Sequence, residues 1–186
     1  MSLTLISPPA AEPITLSELK EHLRVIQTSE DALINGVLVS AVRSVEARAA
    51  LALMPQQWRL TRDAVPDETI ILPLGPVASI DAVAIVDGAG VPQALSTALY
   101  EAAPGSPGRV RRAGPWPQPG PRLDGVRIDF TAGYADAASV PDPLKQAVKI
   151  LAAHFYEARE AASETRLHSV PQTVDALIAP YREVRL

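Results

Sequence analysis

Proline constrains this chain more than any other residue: there are 18 in 186 positions, clustered between Pro55 and Pro143. A proline inside a helix removes a hydrogen bond and clashes with the preceding turn. The middle of the chain is therefore expected to hold turns, sheet edges and loops, and the helices are expected on either side. The length suits one domain, since domains run at roughly 100–200 residues. A chain of this size buries about 70% of its unfolded surface, enough for a real core. Apolar residues at 47% and charged residues at 20% are globular values.

The flanks carry helical periodicity. Thr15-Leu16-Ser17-Glu18 is a capping box, with a hydroxyl for the N3 amide and a carboxylate returning to the Thr amide. Leu16, Leu19, Leu23 and Ile26 then recur at helical spacing. A second start follows at Thr28-Ser29-Glu30-Asp31, with acidic groups where the helix dipole favours them. Leu33, Ile34, Val37, Leu38, Ala41, Val42, Val45 and Ala49 form one apolar stripe, and Arg43, Glu46 and Arg48 the opposite face. This helix is expected to end near Met54-Pro55. Residues 1–13 are expected to be an extended arm. At the other flank, Pro141-Asp142-Pro143 opens a helix whose buried stripe is Leu144, Ala147, Val148, Leu151, Ala152 and Phe155 and whose outward face is Lys145, Lys149, Glu157 and Arg159. It is expected to fray within Ala161–Arg166. Val170-Pro171 begins a short last helix, and Pro180 stops it, leaving a tail from Tyr181 to Leu186.

In the middle the period changes to two. Trp58-Arg59-Leu60-Thr61, Thr69-Ile70-Ile71-Leu72, the alternation Ile80–Ile85 and Val126-Arg127-Ile128-Asp129-Phe130 predict a small antiparallel sheet over 57–132. Asp87-Gly88 marks a hairpin turn. Pro104 to Pro121 is expected to be a long loop, and loops of that length are usually functional or mobile. The fold class predicted is α+β: a helical bundle with a helical body over 14–54 and 141–180, a small antiparallel β-sheet inserted at 57–135, and a tail at 181–186.

Catalytic signatures are missing from the pattern. His22, His154 and His168 do not fall at the spacing that places two ligands on one helix face. Gly88-Ala89-Gly90 lacks the continuation and helix that phosphate binding needs. There is no G-x-S-x-G or H-E-x-x-H, and Asp81 and Asp87 read as a strand and a turn residue. With no cysteine, disulfides and thiolate metal sites are excluded. A net charge of −4 argues against a primary nucleic-acid binder. The opening MSLTLISPPAAEP has no basic n-region, and the apolar runs fall short of the ~20 residues of a membrane helix. A soluble protein made in the cytoplasm, with no cofactor and no enzymatic activity, is expected. Two features carry a functional reading beside a plain one. Arg109, Arg111 and Arg112 are either a solvated loop or a contact for phosphate or an acidic partner. Trp116 is either a lid on the sheet or an interface anchor.

Several pieces, in order, resemble the head-tail connector (adaptor) family of long-tailed bacteriophages. They are Thr15-Leu16 with Glu18, Leu19, Lys20, His22, Leu23, Arg24 and Val25; the Asp31–Glu46 helix; Gln57-Trp58; and Leu72-Pro73-Leu74-Gly75-Pro76-Val77. Trp116-Pro117, Phe130-Thr131-Ala132-Gly133-Tyr134, Val140-Pro141 and Val170-Pro171 to Pro180-Tyr181-Arg182 complete the series. The Ala-, Arg- and Pro-rich composition also suits the adaptor of a phage-like gene transfer agent. The resemblance implies a dodecameric ring in the virion or gene transfer agent particle, between the portal protein and the stopper or tail protein, with double-stranded DNA passing through its lumen. It implies that the C-terminal segment reaches the portal; portal docking is accordingly expected at Tyr181, Arg182, Glu183, Val184, Arg185 and Leu186, and the loop with Arg109, Arg111, Arg112 and Trp116 is expected to contact a neighbouring subunit, the stopper or DNA. The alternative is a β-rich accessory module that recognises a carbohydrate or receptor through Trp116 and Tyr134.

Overall fold

A computed structural model of the chain describes residues 1–65, 69–120, 123–158 and 171–182. Four α-helices and two antiparallel sheets lie among them, so the fold is α+β as the residue pattern implies. The chain divides into two compact units, each assembled from two segments. Met1–Ala10 joins Met54–Ala135, and Ala11–Leu53 joins Asp136–Leu186.

The first unit is the sheet unit. Its larger sheet is built from β1 (Ser2–Ser7), β2 (Gln56–Arg62), β4 (Val77–Val86), β5 (Pro92–Ala94) and β8 (Val126–Ala132). The spatial order is β1-β2-β8-β4-β5, so β8 is central. Strict alternation in β8 buries Val126, Ile128, Phe130 and Ala132 on one face, as a two-residue period requires. Phe130 stands opposite Trp58 of β2 and Ile80 of β4. The strand stops at Gly133, whose φ of +126° is open to glycine and strained for other residues. The expected N-terminal arm is instead the edge strand β1, running antiparallel to β2. A smaller sheet orders β3 (Ile70–Ile71), β7 (Arg109–Arg112) and β6 (Tyr100–Ala103) as β3-β7-β6. The run from Pro104 to Pro121 is thus not one irregular loop. It contains β7, pinned by Val110, which is buried and faces Ile70.

The second unit is helical: α1 (Leu16–Leu23), α2 (Asp31–Ala49), α3 (Asp142–Ala158) and α4 (Gln172–Ile178). Its core is Leu19, Ile34, Leu38, Ala41, Val42, Val45, Leu144, Ala147, Val148, Leu151, Val174 and Ile178. Helix α1 starts at the expected box: the Glu18 amide donates to the Thr15 hydroxyl at 3.1 Å, and the Thr15 amide donates to Glu18 Oε2 at 2.7 Å. It ends at Arg24, whose left-handed φ of 58° releases the chain. Ile26 therefore leaves the expected stripe and is 92% exposed. Helix α2 stops at Ala49, short of Met54-Pro55, because Ala50 turns left-handed at φ 55°. Glu46, expected on the polar face, is 8% exposed. Its carboxylate accepts the Leu53 amide at 2.9 Å and the Arg43 guanidinium at 2.7 Å, so it caps the segment that leaves α2. Beside it, burial pushes the Glu12 carboxyl above its ordinary pKa, with Arg43 opposing that effect.

The box makes one stability prediction. The Thr15 amide, then its hydroxyl, hold the Glu18 carboxyl below its ordinary pKa. A depressed folded pKa contributes stability that is present above the unfolded value and is lost as pH falls through the folded one. Thr15→Ala is expected to cost about 1 kcal/mol at neutral pH. The gap from wild type narrows in acid, as thermal melts across pH will read.

Candidate functional site

Among the described residues, no group of three or more His, Cys, Asp or Glu side chains could hold a metal ion. Asp87 Oδ1 accepts the Ala89 and Val91 amides, both at 2.9 Å, and so closes its own turn. Those amide bonds, Val91 first, hold its pKa down. Asp81 accepts the hydroxyls of Ser79 at 2.6 Å and Thr131 at 2.9 Å, tying β4 to β8. His168 and Arg159 lie outside the described residues, as does the expected fraying segment Ala161–Arg166.

The three sequence-picked arginines sit on β7, and the strand period separates them. Arg109 and Arg111 share the exposed face, while Arg112 turns to the other side and donates to the Gly114 carbonyl at 3.4 Å. Arg111 forms an ion pair with Glu101 on neighbouring β6 at 2.6 Å, with the two side chains 62% and 61% exposed. Thr69, Glu101, Ala103, Arg109 and Arg111 line an open cleft of about 300 Å³ on this small sheet. Trp116 behaves as a lid: it is 5% exposed and its indole N–H donates to the Leu99 carbonyl at 2.9 Å. Its buried ring leaves no open face for a sugar to stack on, and Tyr134 is half-buried.

The C-terminal segment is less free than the sequence implies. Tyr181 ends a short 3₁₀ turn over Ala179–Tyr181. Arg182 folds back: its Nε donates to the Arg48 carbonyl at 3.0 Å and its guanidinium to Asp175 at 2.8 Å. Arg48 reaches the same Asp175 oxygen at 3.5 Å. Residues 183–186 (Glu183, Val184, Arg185 and Leu186) lie outside the described residues. Among the described residues, no helix is long and apolar enough to cross a membrane.

A helical unit and a two-sheet unit make up the described residues, and the chain's likeness to known proteins gives this α+β fold its class. Residues 13–90 match the family described as phage gp6-like head-tail connector protein. Three solved structures align over 100% of this chain and 97% of theirs. One is a chain of the virion of a native gene transfer agent particle, 32% identical with a TM-score of 0.83. The second is from the neck of an empty gene transfer agent particle, determined with C6 symmetry, 32% identical with a TM-score of 0.84. The third is from the neck of a native particle, determined with C12 symmetry, 30% identical with a TM-score of 0.77. No curated protein matches this chain. The chain belongs to the phage gp6-like head-tail connector family, with a structural role at the particle neck.

Proposed function

We propose that this protein is a non-enzymatic adaptor that forms a dodecameric ring between the portal and the stopper or tail of a phage-like particle. The observation that carries it is the whole-length likeness, at 30% identity, to a chain of a neck with C12 symmetry. Such a ring is a set of heterologous head-to-tail contacts that closes by rotation. DNA passes through its lumen. A net charge of −4 fits that task, because each phosphate neutralised by a cation adds to binding, and a strongly basic wall would hold the duplex. Tyr181 to Leu186 dock the portal. Arg109 and Arg111, on the exposed face of β7, meet a neighbouring subunit or the stopper, and Arg112 and Trp116 hold the segment behind them. Electron microscopy of the protein mixed with its cognate portal tests this directly. A second ring stacked coaxially on the portal, with twelvefold averages, is the expected result. Monomers beside bare portals would sink it.

A further inference from the structure

We propose that Ile26 is a knob that seats in a groove on helix α2 of the neighbouring copy in the ring. The inference rests on the ring proposed above and deepens it by naming two surfaces that one copy presents to the next.

The knob follows α1. That helix closes at Arg24 with its left-handed φ of 58°. The Arg24 amide donates to the Glu21 carbonyl at 3.1 Å, and the Val25 amide to the Lys20 carbonyl at 3.0 Å. These bonds cap the helix end, so Ile26 follows a fixed backbone and loses little freedom on docking. Its side chain projects into solvent almost completely.

The groove lies along α2. Ala32, Leu33, Gly36, Val37 and Ser40, with Phe155 of α3, line an open cleft of about 440 Å³. None of these side chains is charged. The Ser40 hydroxyl donates to the Gly36 carbonyl at 2.8 Å, so covering it strands no donor. Gly36 leaves a notch, with no atom beyond its own helix backbone within 4 Å of its Cβ position. Leu33 stands exposed in the cleft. In the described part of the helical unit, Ile26 and Leu33 are the two exposed large apolar side chains.

Helix geometry puts knob and groove on opposite flanks of α2. Asp31 marks one flank: it accepts the Lys20 ammonium of α1 at 2.5 Å, and both share a surface with Val25 and Ile26. Leu33 comes two residues later and so points roughly 200° away. A two-fold dimer would need knob and groove on one face. Opposite flanks suit a head-to-tail contact that repeats from copy to copy.

The test is electron microscopy of full-length variants mixed with the cognate portal, with melting temperature measured in parallel. Ile26→Asp is expected to reduce ring-bearing portals about tenfold or more, because each contact loses the burial of one isoleucine side chain. Its melting should match wild type, since the residue is exposed. Gly36→Leu, which fills the notch, should block rings from the other side. Should Gly36→Leu melt early, Ser40→Glu puts a charge in the groove from an exposed position and carries the same readout. Because the chain has no cysteine, Ile26→Cys combined with Ser40→Cys reports the contact itself. Oxidised rings of this double variant should run as a ladder of linked copies on a denaturing gel, and either single variant should stay monomeric. If wild type forms no ring, the ring reading itself fails. If wild-type rings form but the double variant's rings give no ladder, or Ile26→Asp assembles like wild type, the contact is wrong and the ring stands, with the groove left to another occupant. Linked dimers of Ile26→Cys alone would also overturn it, because knob would then meet knob.

Discussion

Gly133→Ala is expected to destabilise the sheet unit by about 3 kcal/mol or more, from backbone strain and overpacking together. Two independent causes act at this position. Its φ of +126° lies where side-chain-bearing residues are strained. A Cβ there would also stand 2.2 Å from the Met54 carbonyl oxygen and 2.7 Å from the Pro55 nitrogen. Those are backbone atoms, so no rotamer change relieves the clash. Backbone movement is opposed in turn by the Gly133 amide, which donates to the Pro76 carbonyl at 2.8 Å. Thermal melts of the purified variant, or its failure to accumulate in soluble form, read the effect. Gly36 is the control. It sits on the exposed face of α2, with no atom beyond its own helix backbone within 4 Å of its Cβ position, so Gly36→Ala should stabilise by about 0.5–1 kcal/mol. Equal melting of the two variants would refute the argument.

Phe130→Ala is expected to cost about 3–5 kcal/mol, the range for emptying a buried aromatic site. Phe130 is fully buried at the centre of the central strand. It faces partners on both sides, so neither β2 nor β4 can close the space without losing register with β8. Phe130→Leu should cost clearly less, because more of the volume is kept. Denaturant midpoints order the three proteins as wild type, Phe130→Leu, Phe130→Ala. An alanine variant within about 1 kcal/mol of wild type would mean that the site collapses freely.

The elements that were legible in the sequence are those whose own residues carry the signal. Strand β8 alternates through Phe130, and α1 begins at a capping box whose two partners are three residues apart. Strand β1 reads as an arm in the sequence because its Ser2-Leu3-Thr4-Leu5 alternation is short and runs into Pro8-Pro9, while its pairing with β2 leaves most of its side chains exposed. Strand β7 was hidden by surrounding prolines and glycines, since Val110 is its single buried residue. The end of α2 was missed because alanine is an unusual left-handed cap; the turn is fixed by the Glu46 carbonyl and carboxylate, which composition does not reveal. At the candidate site, the sequence picked the three arginines but not their separation across the strand. Tyr181 and Arg182 look like tail in the sequence, because Arg48, the distant partner of Arg182, is brought near only by packing of the helical unit.

The central place of β8 has a consequence for synthesis on the ribosome. Strands β2 and β4 both pair with β8, yet β8 begins at Val126. Until that point has emerged, the two strands wait as open edges with backbone donors and acceptors unmet. Such edges invite pairing between nascent chains. The helical unit waits longer still, because α1 and α2 are made early and their partners α3 and α4 last. Neither unit can close until most of the chain exists, so the order of translation delays the appearance of any finished surface on which a neighbouring copy could assemble.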